Sequence, residues 1–194
     1  VYFMPNVIST AIVGLIFYFL FSPFEGLVNN VLLSLKFISE PINWFGDKWH
    51  AMFVLMVASV WQHFGMNMIL FLAGLQSIPK ELYECSSIDG ATGIKKFFYI
   101  TLPMLLPVAQ VVFMLAMIGA MTMTDLVLVL TNGQPAGSTE VAMTYVYKKF
   151  FGAAEGNAIP EIGYASSLAV ITAIVIGIIT FLYMRLTRKV NEIY

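Results

Sequence analysis

The sequence predicts an all-α integral membrane protein, a helical bundle with four spanning segments and several short interfacial helices. First, 59% of the 194 residues are hydrophobic and only 11% are charged, whereas soluble domains carry about 25% charged residues. Second, four apolar segments, at about 1–21, 49–75, 102–130 and 162–184, have the length of about 20 residues that a bilayer requires. Third, the charges between the second and third segments form one polar island at 77–101. We call this island the elbow.

The first predicted span, residues 1–21, is uncharged and ends at Ser22-Pro23. Since the sequence begins at Val1, without a methionine and directly in this apolar segment, we expect an N-terminally incomplete chain. Residues 27–38 are too few to span and place Leu27, Val31 and other apolar residues on one face. This pattern predicts an interfacial helix on the outer surface.

The second predicted span, 49–75, carries polar residues at mid-membrane, among them Gln62, His63 and Asn67. Polar groups at that depth usually face other helices or a water-filled cavity. For His63 we favour a hydrogen-bonded packing residue over a ligand.

Local signals predict two short helices in the elbow. Pro79 suits a first helical turn and Ser77 can cap it, so a helix should run to about Ile88. Gly90 should end it in the left-handed conformation. We expect Thr92 to cap a second short helix that ends near residue 99, and Pro103 to open the third span.

The third predicted span, 102–130, contains Pro107, which should bend its first turns. Asp125 is its only charge and lies near the outer end. Residues 139–151 have the pattern of another amphipathic helix, and a loop through residues 152–160 leads to the last span.

Composition excludes several functions. A net charge of −1 argues against a nucleic-acid partner. The single cysteine, Cys85, excludes an internal disulfide and a Cys-rich metal site, and two histidines leave little for zinc. No Gly-rich phosphate loop and no nucleophile–base set is present, so we expect no catalytic residues, no cofactor, no metal and no ATP hydrolysis by this chain.

The spacing of five elbow residues is distinctive. Glu84, Gly90, Ile100, Leu102 and Pro103 stand at the spacing of the cytoplasmic loop signature of ATP-binding-cassette importer permeases, which the elbow resembles. That signature is Glu-Ala-Ala, three residues, Gly, nine residues, Ile, one residue, Leu-Pro. Here Cys85 and Ser86 replace the two alanines, and both are small. An ordinary solvated interhelical loop is the alternative interpretation.

Looser motifs also resemble the sugar-permease branch of that family, the maltose and multiple-sugar type with the type I importer fold. They include residues 79–84 and 88–91 of the elbow, the first-span pattern through Asn29, the turn at 130–135, the aromatic pattern at 145–150 and residues 163–166. A plain turn or cap role for Asn29, and an aromatic belt at 145–150, remain alternatives.

The resemblance implies one transmembrane permease subunit of an ATP-driven importer. Its partners would be a second permease subunit, two ATP-binding subunits inside, a solute-binding protein outside, membrane lipid, and a mono- or oligosaccharide, a polyol or a sugar phosphate as solute. It implies a coupling surface for the ATPase subunit at Glu81, Glu84, Cys85, Ser86, Asp89, Gly90, Ala91, Ile100, Leu102 and Pro103. Asp125 would border the solute path or pair with a neighbouring helix.

Basic residues set the expected orientation. One side would hold Lys80, Lys95, Lys96, Arg185, Arg188 and Lys189, and the other Lys36, Lys48, Lys148 and Lys149. The side richer in basic residues is favoured as cytoplasmic, which places the elbow and the C-terminus on the cytoplasmic side of the cell membrane. An ion-coupled secondary transporter and a non-transporting scaffold are the alternative functions.

Overall fold

The computed structural model describes residues 2–152 and 159–191, with side chains described through Thr187. Every long element in these residues is helical and no strand occurs among them, which confirms the all-α prediction. In chain order the helices are α1 (Met4–Val7), α2 (Thr10–Leu20), α3 (Leu27–Ser34), α4 (Lys48–Gln76), α5 (Lys80–Ile88), α6 (Gly93–Lys96), a π-helical turn (Phe97–Thr101), α7 (Leu102–Thr122), α8 (Asp125–Leu130), α9 (Ala142–Phe151) and α10 (Ile162–Asn191).

Within the described residues, three helices are long and apolar enough to cross a membrane. They are Lys48–Gln76, Gly93–Thr122 and Ile162–Thr187. The predicted segments 49–75 and 162–184 therefore coincide with α4 and with most of α10.

The predicted third span, 102–130, is not one helix. A continuous helix starts earlier, at Gly93, and ends at Thr122, and α8 begins separately at Asp125. At the break, the Thr124 hydroxyl donates to the Thr122 carbonyl at 3.1 Å. Such local side-chain bonds compete with the helical backbone pattern and are typical of helix ends.

The predicted first span, 1–21, is also interrupted. Ile8 and Ser9 are extended, with ψ of 138° and 135°, and they separate α1 from α2. The Gln62 amide of α4 donates to the Thr10 hydroxyl at 3.0 Å and lies 3.5 Å from the Ile8 carbonyl. The Gln62 side chain of another helix thus offers a hydrogen-bond donor to the Ile8 carbonyl, which the break removes from regular helical pairing.

The chain divides into two compact units, residues 1–65 with 119–175 and residues 66–118 with 176–194. In the first unit, α2 packs on α8. Val13 and Val127 are fully buried, and Leu126 is almost so. Gly14 allows the close approach, because a Cβ there would lie 2.9 Å from Val129 Cγ1.

Asn29 of α3 is a buried clamp within the first unit. Its amide nitrogen donates to the Ile42 carbonyl at 2.9 Å, while its oxygen accepts from the Trp44 indole at 3.0 Å and the Ile42 N–H at 3.3 Å. Asn29 is therefore a tertiary contact rather than a plain turn residue. α3 ends at Ser34, not at residue 38, because Lys36 is left-handed at φ +57° and turns the chain.

The turn after α8 is closed by threonine and lysine contacts. Thr131 Oγ1 lies 2.9 Å from Thr139 Oγ1, so residue 139 belongs to this turn and α9 begins later than predicted, at Ala142. Lys148 of α9 pairs with Glu140 at 2.8 Å and donates to the Asn132 carbonyl at 2.8 Å. α9 is thereby tied to the turn. Residues 153–158 of the predicted following loop lie outside the described residues.

In the second unit, α7 and α10 meet through Tyr183. Its hydroxyl donates to the Gln110 carbonyl at 2.9 Å, and its ring stacks on Phe113 with centroids 5.7 Å apart. α7 continues past Pro107 without interruption. The predicted bend at Pro107 stays a prediction.

Candidate functional site

The first half of the elbow is the exposed helix α5. Its N-cap position is Pro79, at φ −59° and ψ 133°, so the helix begins at Lys80, later than predicted. Ser77 does not cap the helix, because its hydroxyl donates backward to the Gly74 carbonyl at 2.8 Å. α5 thus begins without a side-chain cap, and Glu81 lies in its first turn near the positive end of the helix dipole.

The end of α5 is the strongest local match to prediction. The helix ends at Ile88 and Gly90 is left-handed at φ +74°. The Ala91 N–H donates to the Ser86 carbonyl at 2.9 Å and the Gly90 N–H to the Ser87 carbonyl at 3.1 Å. These two bonds form a Schellman motif. A Cβ at Gly90 would meet nothing within 4 Å, so backbone conformation alone requires glycine within this chain.

The second half of the elbow differs from prediction. Thr92 occupies an N-cap position but its side chain makes no capping bond. The helix does not stop near residue 99, because α6 passes through the π-helical turn directly into α7. Pro103 is therefore the second residue of α7 and does not open the helix. In a π-helical turn the N–H group donates to the carbonyl five residues earlier, as Leu102 does to Phe97. The next residue, Pro103, has no N–H group to donate.

Side chains join the two halves of the elbow. Tyr83 Oη lies 2.9 Å from Thr101 Oγ1, and Lys96 Nζ donates to Ser87 Oγ at 2.5 Å. The Ser87 hydroxyl in turn donates to the Tyr83 carbonyl at 2.7 Å. Sequence reasoning missed these contacts. The only signal was the i, i+4 spacing of Tyr83 and Ser87, which places both on one face of α5.

The predicted coupling residues fall into two groups. Glu81, Glu84, Cys85, Asp89 and Gly90 are exposed on or beside α5, and Ser86 and Ala91 are half-buried. Ile100 lies in the π-helical turn, while Leu102 and Pro103 lie in α7. The first group forms one surface, whereas the last three residues belong to the base of the long helix.

Charge and apolar exposure coincide on this surface. Within the described part of the chain, no elbow carboxylate forms an ion pair; the ion pairs there involve Asp47, Glu140 and Glu161. Ile88 is 87% exposed and Ile94 is 74% exposed beside the turn. Exposed apolar side chains bordered by charged ones have the composition of a protein–protein contact, an apolar centre with a polar rim.

Asp125 is exposed and opens α8, and is thus not the end of a long span. At this position its carboxylate complements the positive end of the helix.

Two polar residues of α4 differ in environment. The His63 Nδ1 lies 2.9 Å from the Ser59 carbonyl of the preceding turn, so the predicted hydrogen bond is present. The side chain is nevertheless exposed within this chain, so the predicted packing against another helix is not. Gln62 is 5% exposed, and its Oε1 has no hydrogen-bond partner among the described residues. Among those residues, no three histidine, cysteine or carboxylate side chains come together in a metal-holding group.

The chain matches one protein family over almost its whole length. The family is described as the binding-protein-dependent transport system inner membrane component, and the match covers residues 1–191.

Similar curated proteins carry sugar-transport names. The chain is 36% identical over 187 residues to the arabinooligosaccharides transport system permease protein AraP of Bacillus subtilis (strain 168), covering 95% of this chain and 57% of AraP. It is 33% identical over 189 residues to the lactose transport system permease protein LacF of Rhizobium radiobacter, covering 96% of this chain and 61% of LacF. The chain thus spans roughly three fifths of the length of these relatives.

A solved structure shares the fold. The chain superposes with a TM-score of 0.82 and 24% identity on a chain of the bacterial alginate ABC transporter in complex with alginate pentasaccharide-bound periplasmic protein. The match covers 97% of this chain and 63% of the other.

Proposed function

We propose that this chain, which belongs to the family of binding-protein-dependent transport system inner membrane components, is a permease subunit of an ATP-driven importer. Several of its apolar helices are long enough to span a bilayer, so it is a multi-pass membrane protein. The observation that carries this proposal is the elbow. An exposed, charged helix follows one long apolar helix and is bonded to the base of the next. That arrangement suits the transfer of movement from a soluble partner into the membrane.

The proposed mechanism is alternating access. ATP-binding subunits contact α5 through Glu84 and the exposed residues around it, and their closure on ATP moves the elbow. The permease helices then shift between inward-open and outward-open states, a rigid-body change whose two states the nucleotide biases. ATP hydrolysis belongs to the partner subunits, since the sequence has no phosphate-binding loop.

We propose a carbohydrate as the solute: a mono- or oligosaccharide, or a related polyol or sugar phosphate. The names of AraP and LacF support this class.

The proposed assembly pairs this subunit with a second permease subunit, two ATP-binding subunits on the elbow side and a solute-binding protein on the opposite side. The lysine residues of the elbow and the basic residues at the end of α10 support a cytoplasmic position for both. The subunit would thus lie in the cell membrane with its C-terminus on the cytoplasmic side.

Two polar groups of the first unit are proposed for the solute path. The buried Gln62 oxygen lacks a partner among the described residues and lies beside the interrupted first helix, and interrupted helices are where transporters commonly hold polar solutes. Asp125 presents an exposed carboxylate at a helix start, and a carboxylate facing lipid would be costly.

Co-purification tests the proposal most directly. The full-length subunit is expressed with its genomic neighbours, extracted gently, and analysed for subunit stoichiometry, ATP hydrolysis and uptake in vesicles. We expect stoichiometric ATP-binding subunits and ATP-dependent sugar uptake, and no ATP hydrolysis by the purified permease chain alone. Uptake driven by an ion gradient without a bound ATPase would support a secondary transporter instead. Assembly without any uptake would support a scaffold.

A further inference from the structure

A side-chain hydrogen bond connects α5 to the most buried residue of the elbow's second half. We infer that the Tyr83–Thr101 hydrogen bond is a strut that transmits movement of the elbow into the spanning helix. Tyr83 and Thr101 are thus positioning residues for coupling, an inference that rests on the proposed function.

Within the described part of the chain, few other contacts hold α5 itself in place. Among the described residues of α5 itself none is buried, so apolar packing contributes little to its position. The chain between α5 and α6 turns through Gly90, which has no side chain to stiffen it. The angle between α5 and the long helix therefore depends on the bonds between them.

The strut is better protected than the bond from Lys96 to Ser87. Thr101 is only 9% exposed, and its hydroxyl lies 2.9 Å from the Tyr83 hydroxyl. The bond from Lys96 to Ser87 is exposed to water. A hydrogen bond shielded from water keeps more of its strength, because water competes less for its donor and acceptor.

The π-helical turn is what brings Thr101 to face α5. In an α-helix, residues five apart, such as Lys96 and Thr101, point about 140° away from each other. In a π-helical turn the bond runs between residues five apart, as from Leu102 to Phe97, so residues at that spacing come round to the same face. Lys96 and Thr101 thereby both reach α5, at Ser87 and Tyr83.

A matched set of variants isolates the bond. Tyr83→Phe removes one hydroxyl and keeps the ring, whereas Thr101→Val removes the other at nearly constant shape. Thr101→Ser keeps the hydroxyl and is the control. Each variant is assembled with its ATP-binding subunits in vesicles, and the solute imported per ATP hydrolysed is measured together with the amount of bound ATPase.

Tyr83→Phe and Thr101→Val should each lower the solute imported per ATP by about two- to tenfold, the population change that loss of one net hydrogen bond produces. Normal amounts of ATPase subunit should remain bound. The double variant should be no worse than either single variant, because both remove the same bond. Thr101→Ser should match the wild type.

Two results would overturn the inference. If Tyr83→Phe and Thr101→Val lower only the yield or thermal stability of the complex and leave solute per ATP unchanged, the bond is merely structural and the proposed function stands. If the wild-type protein assembles without ATP-hydrolysing subunits, the proposed function fails and the strut fails with it.

Discussion

Replacing Gly90 with alanine separates the backbone requirement of the elbow from its contacts with a partner. Gly90 is left-handed at φ +74°, and a Cβ there would touch nothing within 4 Å. An alanine at this position therefore encounters no clash inside the chain. The whole intrachain cost comes from holding an L-residue in the left-handed region, which is about 1–2 kcal/mol.

That cost falls on the end of α5. The Schellman bonds from Ala91 to Ser86 and from Gly90 to Ser87 exist only when residue 90 is left-handed. A penalty of about 1–2 kcal/mol corresponds to about 5- to 30-fold more frequent opening of this turn. Asparagine tolerates the left-handed region better and should cost less, while the β-branched Gly90→Val should cost more.

Gly93 provides the matched control. It opens α6 in an ordinary helical conformation, and a Cβ at this position would also meet nothing within 4 Å. Gly93→Ala should therefore be neutral or stabilise by about 0.4–1 kcal/mol, since alanine lowers the entropy of the unfolded chain.

Hydrogen–deuterium exchange of the peptide covering residues 84–92 measures the difference in the assembled transporter. We expect about 5- to 30-fold faster exchange in Gly90→Ala and unchanged or slower exchange in Gly93→Ala. Equal exchange in the two variants would refute the backbone argument. Normal exchange with loss of bound ATPase in Gly90→Ala would instead assign Gly90 to the partner contact.

Four further predictions concern other residues. Glu84→Lys should insert normally but lose bound ATPase subunit, because removing one partner of a charge pair buried in the proposed contact with that subunit costs about 2–5 kcal/mol; normal stoichiometry and uptake would contradict this. Asp125→Asn should weaken apparent solute affinity or uptake rate, and unchanged uptake kinetics would remove Asp125 from the path. Gln62→Leu should lower thermal stability in detergent, because it removes the amide that donates to Thr10 and approaches the Ile8 carbonyl, and it should also reduce uptake per folded subunit; wild-type uptake per folded subunit would assign Gln62 to packing. The hydrogen bond that the Trp49 N–H donates to Asp47 lowers the pKa of the Asp47 carboxyl below its ordinary 3.8, and the nearby His50 lowers it further. The contribution of ionised Asp47 to the stability of the folded state is therefore complete above pH 3.8 and is lost as pH falls through the folded-state pKa. The stability difference between wild type and Asp47→Ala, measured by thermal unfolding, should therefore be present at about pH 6 and shrink at about pH 3.

Features that depend on local chemistry were predictable from the sequence. The length and hydropathy of residues 49–75 and 162–184 predicted α4 and most of α10. The end of α5 and the conformation of Gly90 were also predictable, because a residue without a Cβ at the end of a polar helix favours the left-handed conformation wherever the helix lies. The spacing from Glu84 to Pro103 indicated the family that the match over residues 1–191 confirms.

Local signals failed where a distant partner decided the outcome. Ser77 is a local exception: it has the chemistry of a helix cap, but its hydroxyl bonds the Gly74 carbonyl three residues back instead. The uncharged segment 1–21 has the composition of one helix, yet it breaks at Ile8 and Ser9, where Gln62 of α4 approaches. Hydropathy cannot predict such a break because the compensating donor lies far away in sequence.

The sequence by itself determined the class of the protein, its two clearest spanning helices and the exposed elbow, since composition, segment length and glycine placement act through nearest neighbours along the chain. Only the tertiary structure decided the Asn29 clamp, the π-helical turn and the bond between Tyr83 and Thr101. The clamp and the Tyr83–Thr101 bond each depend on two groups that lie far apart in sequence and are brought together by folding. A hydrogen bond of this kind forms only when both partners are held within about 3 Å of each other, and that distance is a property of the packed helices rather than of either residue's sequence neighbours.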